Sequence, residues 1–339
     1  MLLTADWHLT AKPEDEYRWD IFARLRELTR DENREHEIVM LGDMTDHKTD
    51  KHPAALVNRL VSAILDLVEH RNTTLTIIMG NHDAPLNGVP YWDFLNNLPN
   101  VHYFSVPTKH SDCLFLPFSK APKWDWRDID FKTYKAVFMH QPVAGADIGN
   151  GRKIKDEGTV RFPRSCRVYS GDIHTPQTIG NVTYVGAPHW VRFGDTHARR
   201  ILDVDDTTYK IQREIFLDTG SRKLILNVGS IEELEALGVK AGDQVRVRFS
   251  LAAHTVADAP RIADAIQQWA ARNNIALVST ETTMEGDERY ANTGDFLHDP
   301  ADVLHAFVAY EGITDEIARR GAALMSEVFP SNKDGLRNA

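Results

Sequence analysis

The stretch EIVMLGDMTD, Glu37 to Asp46, runs from an apolar strand pattern directly into a Gly-Asp pair and a polar turn. The segments on either side of it have helical spacing. Their apolar faces carry Ile21, Phe22, Leu25 and Leu28 before it, and Leu56, Val57, Leu60, Val61, Ile64 and Leu65 after it. With the strand patterns MLLTA and TLTIIM at either end, this order predicts an α/β layer with a largely parallel sheet, in which sites form at the carboxyl ends of strands.

Composition narrows the class of protein. A formal net charge of −10 over 339 residues argues against non-specific coating of nucleic acid, which needs a broad basic surface, but it permits an enzyme with a local basic groove. Cys113 and Cys166 have no paired spacing, so neither a disulfide framework nor a thiolate metal site is expected. With no basic leader and no apolar segment of membrane length, we expect a cytoplasmic protein without a membrane partner.

Polar residues follow the apolar runs at one strand end after another. In the first half they are Asp6 and His8 after MLLTA, Asp43 after EIVML, and Asn81, His82 and Asp83 after TLTIIM. Farther on, AVFM runs into His140, CRVYS into Gly171, Asp172 and His174, and NVTYV into Gly186. The later runs predict strands of a second, more mixed sheet, and the chemistry is expected along a rim of strand ends.

Each motif is weak by itself, because Asp-x-His is common, Gly-Asp is a favoured turn pair, and a lone histidine after a strand is more often a hydrogen-bonded rim residue. The joint pattern is more informative, since every member is an oxygen or imidazole donor. The candidate metal ligands are Asp6, His8, Asp43, Asn81, His140, Asp172 and His174. Such a set can form two groups that share one carboxylate, Asp43, as two ions about 3.5–4 Å apart require for in-line displacement at phosphate.

The motifs ADWH, LGDMTD, MGNHD, MHQ and GDIH, in this order, resemble the signature of the calcineurin-like metallophosphoesterase superfamily. The segment YVGAPHWVRFGD is similar to the one that closes this domain in SbcD-type DNA-repair and phage recombination exonuclease subunits. The resemblance covers about residues 1–205. It implies a two-sheet αββα sandwich, followed by a small C-terminal α/β capping domain.

The resemblance also implies an assignment of ligands. One ion is expected on Asp6, His8, Asp43 and His174, and the other on Asp43, Asn81, His140 and Asp172. Asp172 departs from the family pattern, which has histidine there, and it could either ligate through oxygen or point away. Two divalent ions are expected, and an oxygen-rich site suits Mn²⁺, with Mg²⁺ as the alternative, better than zinc.

The remaining site residues concern the substrate. His82 matches the family histidine beside the scissile phosphate and is expected to protonate the leaving alkoxide, with Asp83 either orienting it or capping a helix. His47 and His52 could reach substrate phosphates or belong to a solvated loop. Cations near the later motifs could track a nucleic-acid backbone or form an ordinary solvated face: Arg152, Lys153, Lys155 and Arg192.

The domain organisation follows from a change of pattern near residue 220. The pattern places domain boundaries after residues 218 and 299, with helices at 300–339. The resemblance implies that residues 1–218 are a nuclease domain, that 219–299 are an α/β cap that guides DNA, and that the C-terminal helices dock on an SMC-like, SbcC-type ATPase. A homodimer is also expected from the resemblance. The function favoured is a metal-dependent DNA exonuclease or endonuclease in a DNA repair or recombination complex. The alternatives are a phosphodiesterase or phosphatase on another substrate, and a scaffold whose second metal site has decayed.

Overall fold

The structure is a computed structural model of the chain. It describes residues 1–31, 33–46, 52–69, 72–84, 90–148, 152–156, 158–195, 197–218, 220–251 and 258–284. Residues 1–249 and 258–281 form one compact unit, and the second unit, 250–257 with 282–339, lies almost entirely outside the described residues. The expected docking segment 300–339 therefore lies outside them too, and the domain boundaries after residues 218 and 299 stay predictions.

The first of two six-stranded sheets has the order β12-β11-β1-β2-β3-β4. Its strands are β1 (Leu2–Thr4), β2 (His36–Met40), β3 (Thr73–Ile78), β4 (Val101–Phe104), β11 (Arg200–Val204) and β12 (Ile211–Phe216). The four strands β1 to β4 are mutually parallel, whereas β11 and β12 add an antiparallel edge. The parallel layer predicted around EIVML is thus present.

The second six-stranded sheet has the order β5-β6-β7-β8-β10-β9 and mixes parallel and antiparallel pairs. Its strands are β5 (Thr108–His110), β6 (Cys113–Leu116), β7 (Ala136–Met139), β8 (Arg167–Ser170), β9 (Gln177–Ile179) and β10 (Val182–Tyr184). The strands predicted from AVFM, CRVYS and NVTYV are β7, β8 and β10, so the second, more mixed sheet is also present.

Helices and apolar contacts order these sheets into layers. Helices α1 (Asp20–Leu28) and α2 (Ala54–Val68) pack on the outer face of the first sheet through Phe22, Leu25, Leu60 and Ile64. A second apolar cluster, with Val39, Leu41, Phe115 and Phe138, fills the space between the sheets. A third covers the outer face of the second sheet, next to the short helix α3 (Pro122–Asp125) and the 3₁₀ turn Phe131–Thr133. The predicted α/β sandwich is confirmed.

The predicted stripe of α2 needs one correction. Leu65 is 37% exposed, whereas Leu67 and Val68 are buried in its place. At 3.6 residues per turn the buried positions of this helix fall within an arc of about 120°, and Leu65 falls about 60° outside it. Among the described residues, no helix is long and apolar enough to cross a membrane.

A three-stranded sheet follows, formed by β13 (Lys223–Val228), β14 (Gln244–Leu251) and β15 (Ala276–Met284). Strands β13 and β14 are parallel and are joined through α4 (Ile231–Ala236), and α5 (Ala259–Arg272) joins β14 to β15. The predicted strand–helix–strand unit corresponds to β14, α5 and β15. The structure adds β13 and α4, whose patterns are short and mixed.

At the rim of strand ends, glycine residues allow neighbouring backbones to approach closely. A Cβ on Gly42, which has φ +84°, would lie 2.3 Å from His140 Nδ1, and a Cβ on Gly80 would lie 2.2 Å from the Asp43 amide nitrogen. Both distances are far below a van der Waals contact. Only glycine therefore allows the loops after β2 and β3 to meet beside His140.

We expect Gly42→Ala to destabilise the fold much more than a left-handed backbone alone explains. The matched control is Gly158→Ala, because Gly158 has φ +80° and open space around it. The control should lower the free energy of unfolding by about 1–2 kcal/mol, the cost of a left-handed alanine. Gly42→Ala should lose about 1–3 kcal/mol more through overpacking. Denaturant titration measures both values, and equal losses would contradict the close-approach argument.

Candidate metal centre

The first strand-end loops are joined by backbone hydrogen bonds. Asp6 N donates to Gly42 O at 3.0 Å, and His8 N donates to Asp43 O at 2.9 Å. Asp6, His8 and Asp43 have φ values of 53°, 43° and 59°, and Asp172 has 77°. A left-handed backbone is uncommon for residues other than glycine, and such strain is concentrated at functional sites. Here it turns these side chains toward one point instead of letting the strands continue.

One group of donors consists of buried residues from the first and second sheets. His8 Nε2 lies 3.0 Å from His174 Nε2 and 3.4 Å from Asp43 Oδ2. Donor atoms of Asp6, His8 and His174 all lie within 4.8 Å of one another. Two imidazole nitrogens can face each other at this distance only when a proton or a cation lies between them. This arrangement fits a metal ion held by nitrogen and carboxylate oxygen.

A second group surrounds His140, which is fully buried. Its Nδ1 lies 2.6 Å from Leu41 O, which fixes Nδ1 as the donor and turns Nε2 toward the site. Nε2 lies 3.3 Å from Asn81 Oδ1, 3.3 Å from Asp43 Oδ1 and 3.7 Å from Asp172 Oδ1. The structure therefore places Asp172 on the side of this group, with its carboxylate facing His140.

The Asp43 carboxylate lies between the two groups. Its Oδ2 faces His8, and its Oδ1 faces His140. The candidate ligands predicted from the sequence lie around this carboxylate, and Asp6 has a donor atom within 4.8 Å of one in His140 as well as of those in His8 and His174. Which of them bind metal remains a prediction.

The charges of the cluster are unbalanced. Burial raises the pKa of Asp6 to about 7, opposed by His140 and reinforced by Asp43. Burial also disfavours a charged His140, but the Asp43 carboxylate prevails and raises the pKa of His140 to about 10. Burial, His8 and Arg192 lower the pKa of His174 well below its usual value. The buried carboxylates thus raise the affinity of the neighbouring His140 for a proton, as they would the affinity of this point for a cation.

A further observation indicates that the donor set fits a divalent cation. Asp6 Oδ2 and His174 Nδ1 are buried and have no hydrogen-bond partner among the described residues. A buried carboxylate oxygen without a partner costs about 1–3 kcal/mol or more. A cation at this point would both satisfy that oxygen and provide the missing charge.

His82 lies at the more open edge of the cluster. Its side chain is 17% exposed, against 3% for that of Asp43, and its backbone nitrogen donates to Asp43 Oδ1 at 2.8 Å. Its Nδ1 lies 3.3 Å from Asp46 O, and donor atoms of His8, Asp43 and His82 lie within 4.8 Å of one another. The ring can therefore reach a molecule that enters from solvent.

Asp83 contacts backbone groups. Its carboxylate accepts hydrogen bonds from Met44 N and Gly80 N at 3.1 Å and from Thr45 N at 3.3 Å. Neither expectation from the sequence describes these contacts, because they join the loop after β2 to the loop after β3. Burial raises the pKa of Asp83 to about 6, with Asp43 adding to the effect.

The expected substrate contacts are scattered. Arg152, Lys153 and Lys155 are exposed in a loop where Ile148 N bonds to Arg152 O, and His52 packs against Tyr91 and Trp92. Arg192 is exposed, and its charge reaches His174. His47 lies outside the described residues. Arg192 is thus the member of this set whose charge acts on a residue of the cluster.

Sequence reasoning missed Asp46 and Arg18. Asp46 Oδ1 lies 3.1 Å from His8 Nδ1 and so orients the imidazole whose Nε2 faces the cluster. Arg18 is 1% exposed and donates to His8 O. The position of Asp46 at the end of LGDMTD was a usable signal. Arg18 lies before α1, where the sequence pattern favours an exposed position for an arginine.

Comparison with known proteins places this geometry in a family. The sequence profile described as calcineurin-like phosphoesterase matches residues 1–199, which include every candidate metal ligand. The chain belongs to the calcineurin-like phosphoesterase family. The resemblance drawn from the motifs is confirmed, and so is the predicted enzyme class, a hydrolase of phosphoester bonds.

The chain is also similar to the protein named Exonuclease subunit 1 of Enterobacteria phage T4. The two are 26% identical over 226 residues, which is 61% of this chain and 64% of the relative. The chain therefore spans less than two thirds of the relative that it matches. The similarity is consistent with the predicted SbcD-type branch of the family.

We expect metal binding to stabilise the fold through Asp43. After treatment with a chelator, added Mn²⁺ at 100 times its dissociation constant should raise the free energy of unfolding by about 2.7 kcal/mol for each site filled. Asp43→Asn should lose most of this gain, because both donor groups share that carboxylate. Asp128→Asn, at a side chain 86% exposed, is the control. A gain that survives in Asp43→Asn would exclude the proposed centre.

Proposed function

We propose that the protein is a metal-dependent nuclease that hydrolyses phosphodiester bonds in DNA with two divalent cations, Mn²⁺ above all and Mg²⁺ as the alternative. The observation that carries the proposal is the Asp43 carboxylate, whose two oxygens face two separate donor groups. One cation would be held by Asp6, His8, Asp43 and His174, and the other by Asp43, Asn81, His140 and Asp172. The bound cations would supply charge stabilisation and an activated water for displacement at phosphorus.

The protein's own residues have separate tasks in this reaction. Asp46 holds His8 through Nδ1, and Leu41 O holds His140 through Nδ1, so both imidazoles keep one nitrogen turned to the cluster. His82, at the open edge, is proposed to donate a proton to the leaving alkoxide. Asp83 keeps the loops of Asp43 and Asn81 at a fixed separation through the backbone amides it binds.

DNA as the substrate is supported by the name of the phage relative. The relative is an exonuclease subunit by name. A phosphodiesterase or phosphatase on a smaller substrate is the rival. An assay of labelled duplex DNA, single-stranded DNA and a chromogenic phosphodiester with added Mn²⁺ separates these functions, since hydrolysis of the chromogenic compound alone would favour the rival.

The same relative supports a place in a complex. We propose that this chain is the nuclease subunit of a DNA repair or recombination complex in the cytoplasm, and that it docks on an SMC-like, SbcC-type ATPase through residues 300–339. A homodimer belongs to the same proposal. Co-purification of the ATPase with the full chain, and its loss from a chain that ends at residue 299, is the expected result.

His82→Ala should lower turnover by about 100- to 10,000-fold, the usual effect of losing a general acid. Affinity for Mn²⁺, measured by calorimetry, should stay nearly unchanged, because the role proposed for His82 is toward the leaving group. His110→Ala, at an exposed histidine of β5, is the matched control. Loss of bound Mn²⁺ in His82→Ala would instead make His82 a ligand.

Asp172 decides whether the second donor group holds an ion. If it ligates, Asp172→Ala should remove one of two Mn²⁺ ions and abolish cleavage, whereas Asp172→His should keep both ions and measurable activity. Activity should be strong with Mn²⁺, weaker with Mg²⁺ and poor with zinc, since the site is rich in oxygen. Anomalous diffraction from manganese-soaked crystals counts the ions. A single peak, with an unchanged rate in Asp172→Ala, would refute ligation.

A further inference from the structure

A series of charged residues, buried except for Asp46, whose side chain is 35% exposed, leads from the three-stranded sheet to the candidate metal centre. It begins at Lys223, the first residue of β13, whose Nζ lies 2.7 Å from Asp15 Oδ1. Lys223 is only 7% exposed and Asp15 only 3%. Burial lowers the pKa of Lys223, and the charge of Arg18 adds to this effect. A pair so far from water has to be held by its geometry.

The next link is Arg18, which is 1% exposed. Its guanidinium lies 3.1 Å from Asp15 Oδ1 on one side and 3.7 Å from Asp46 Oδ2 on the other. It also donates to His8 O, and at 3.3 Å to Val191 O. Arg18 is therefore shared between two carboxylates, and its contact with Asp46 is the longer one.

The series of charged residues ends at Asp46, which lies beside two imidazoles. Its Oδ1 lies 3.1 Å from His8 Nδ1 and 3.6 Å from His82 Nδ1, and its backbone oxygen lies 3.3 Å from the same atom of His82. The position of Asp46 therefore affects a candidate ligand and the candidate acid together. The signs alternate from Lys223 through Asp15, Arg18 and Asp46 to the histidines.

We propose that Lys223 is a positioning residue for His82, so that the seating of the three-stranded sheet sets the geometry of the leaving-group acid. This rests on the function proposed above for His82. If Lys223 loses its ammonium group, the charged neighbour that Asp15 keeps within this series is Arg18. Asp15 then draws Arg18 away from Asp46. Asp46 then loses its anchor, and the His82 ring loses its fixed orientation.

Further contacts support the seating of this sheet. Gln244 Nε2 donates to Glu14 O, next to Asp15, and the Arg246 guanidinium lies 4.3 Å from the centroid of the Phe193 ring. Lys223 is thus held on the face of the three-stranded sheet that packs against the residues around Asp15. Buried ion pairs are weak evidence of stability, because apolar replacements are often as stable. A role in positioning accounts for charges that stability does not require.

The test compares Lys223→Met, which keeps the aliphatic length, with Lys240→Met, at an exposed lysine of the same region. A chromogenic phosphodiester with Mn²⁺ is the substrate, because it is too small to need guidance by the sheet. Lys223→Met should lower kcat about 10- to 100-fold at saturating Mn²⁺, the usual cost of losing a supporting partner, with unchanged KM. Lys223→Arg should restore most of the rate, and Lys240→Met should be normal.

A double-mutant cycle with His82→Ala tests whether Lys223 acts through His82. Lys223→Met should have no further effect on kcat in the His82→Ala background, because the group that it positions is already absent. Multiplication of the two losses would place the effect of Lys223 elsewhere and overturn the proposal, and so would an unchanged kcat in folded Lys223→Met.

The imidazole resonances of His82, assigned by their absence in His82→Ala, give a readout that does not need activity. Lys223→Met should shift them and Lys240→Met should not. If the wild type hydrolyses no phosphodiester, the proposed function fails, while this spectrum still decides whether Lys223 positions the ring. If Lys223→Met does not fold, Lys223→Gln takes its place. Unmoved resonances in the folded variant overturn the proposal.

Discussion

The metal centre depends on how closely the strand-end loops approach one another. A Cβ at Gly171 would lie 2.1 Å from Leu41 O, and one at Gly80 would lie 2.2 Å from the Asp43 amide nitrogen. A larger residue at Gly171 would separate the two sheets at the rim, and one at Gly80 would separate the loop after β3 from the Asp43 loop after β2. The glycines that stand before Asp43, Asn81 and Asp172 are therefore packing requirements as much as turn residues.

The close approach of these loops also brings several carboxylates together, and the residues of the fold do not neutralise their charge alone. Bringing Asp6, Asp43 and Asp172 to one rim confines negative charge where water is largely excluded, and carboxylates in such places are stabilised by cations or by protonation. The raised pKa of Asp6, caused first by burial, and the raised pKa of His140 beside Asp43 are two responses to it. A bound divalent cation answers the same need and leaves the imidazoles neutral and able to ligate.

Much of this site could be predicted from the sequence, because the signal is local. Apolar runs ending in Asp6, Asp43 or Asn81 mark strand ends, and parallel strands bring their carboxyl ends to one edge. The contacts of Arg18 and Asp83 could not be predicted, since their partners are backbone groups 10 and 39 residues away whose position only the folded loops define. Strand β13 was missed because it begins with a lysine, Lys223, which is buried beside Asp15 although its type favours the surface.

The coupling between the three-stranded sheet and the candidate metal centre also follows from the close packing of charged side chains. Asp46 Oδ1 lies beside His8 Nδ1, and Arg18 is the cation beside its other oxygen at 3.7 Å. Arg18 reaches that position from the turn before α1, and its second carboxylate is Asp15, which is only 3% exposed. A buried carboxylate there needs a further cation, and β13 supplies Lys223. The three-stranded sheet thus completes a charge pattern that reaches the candidate metal centre.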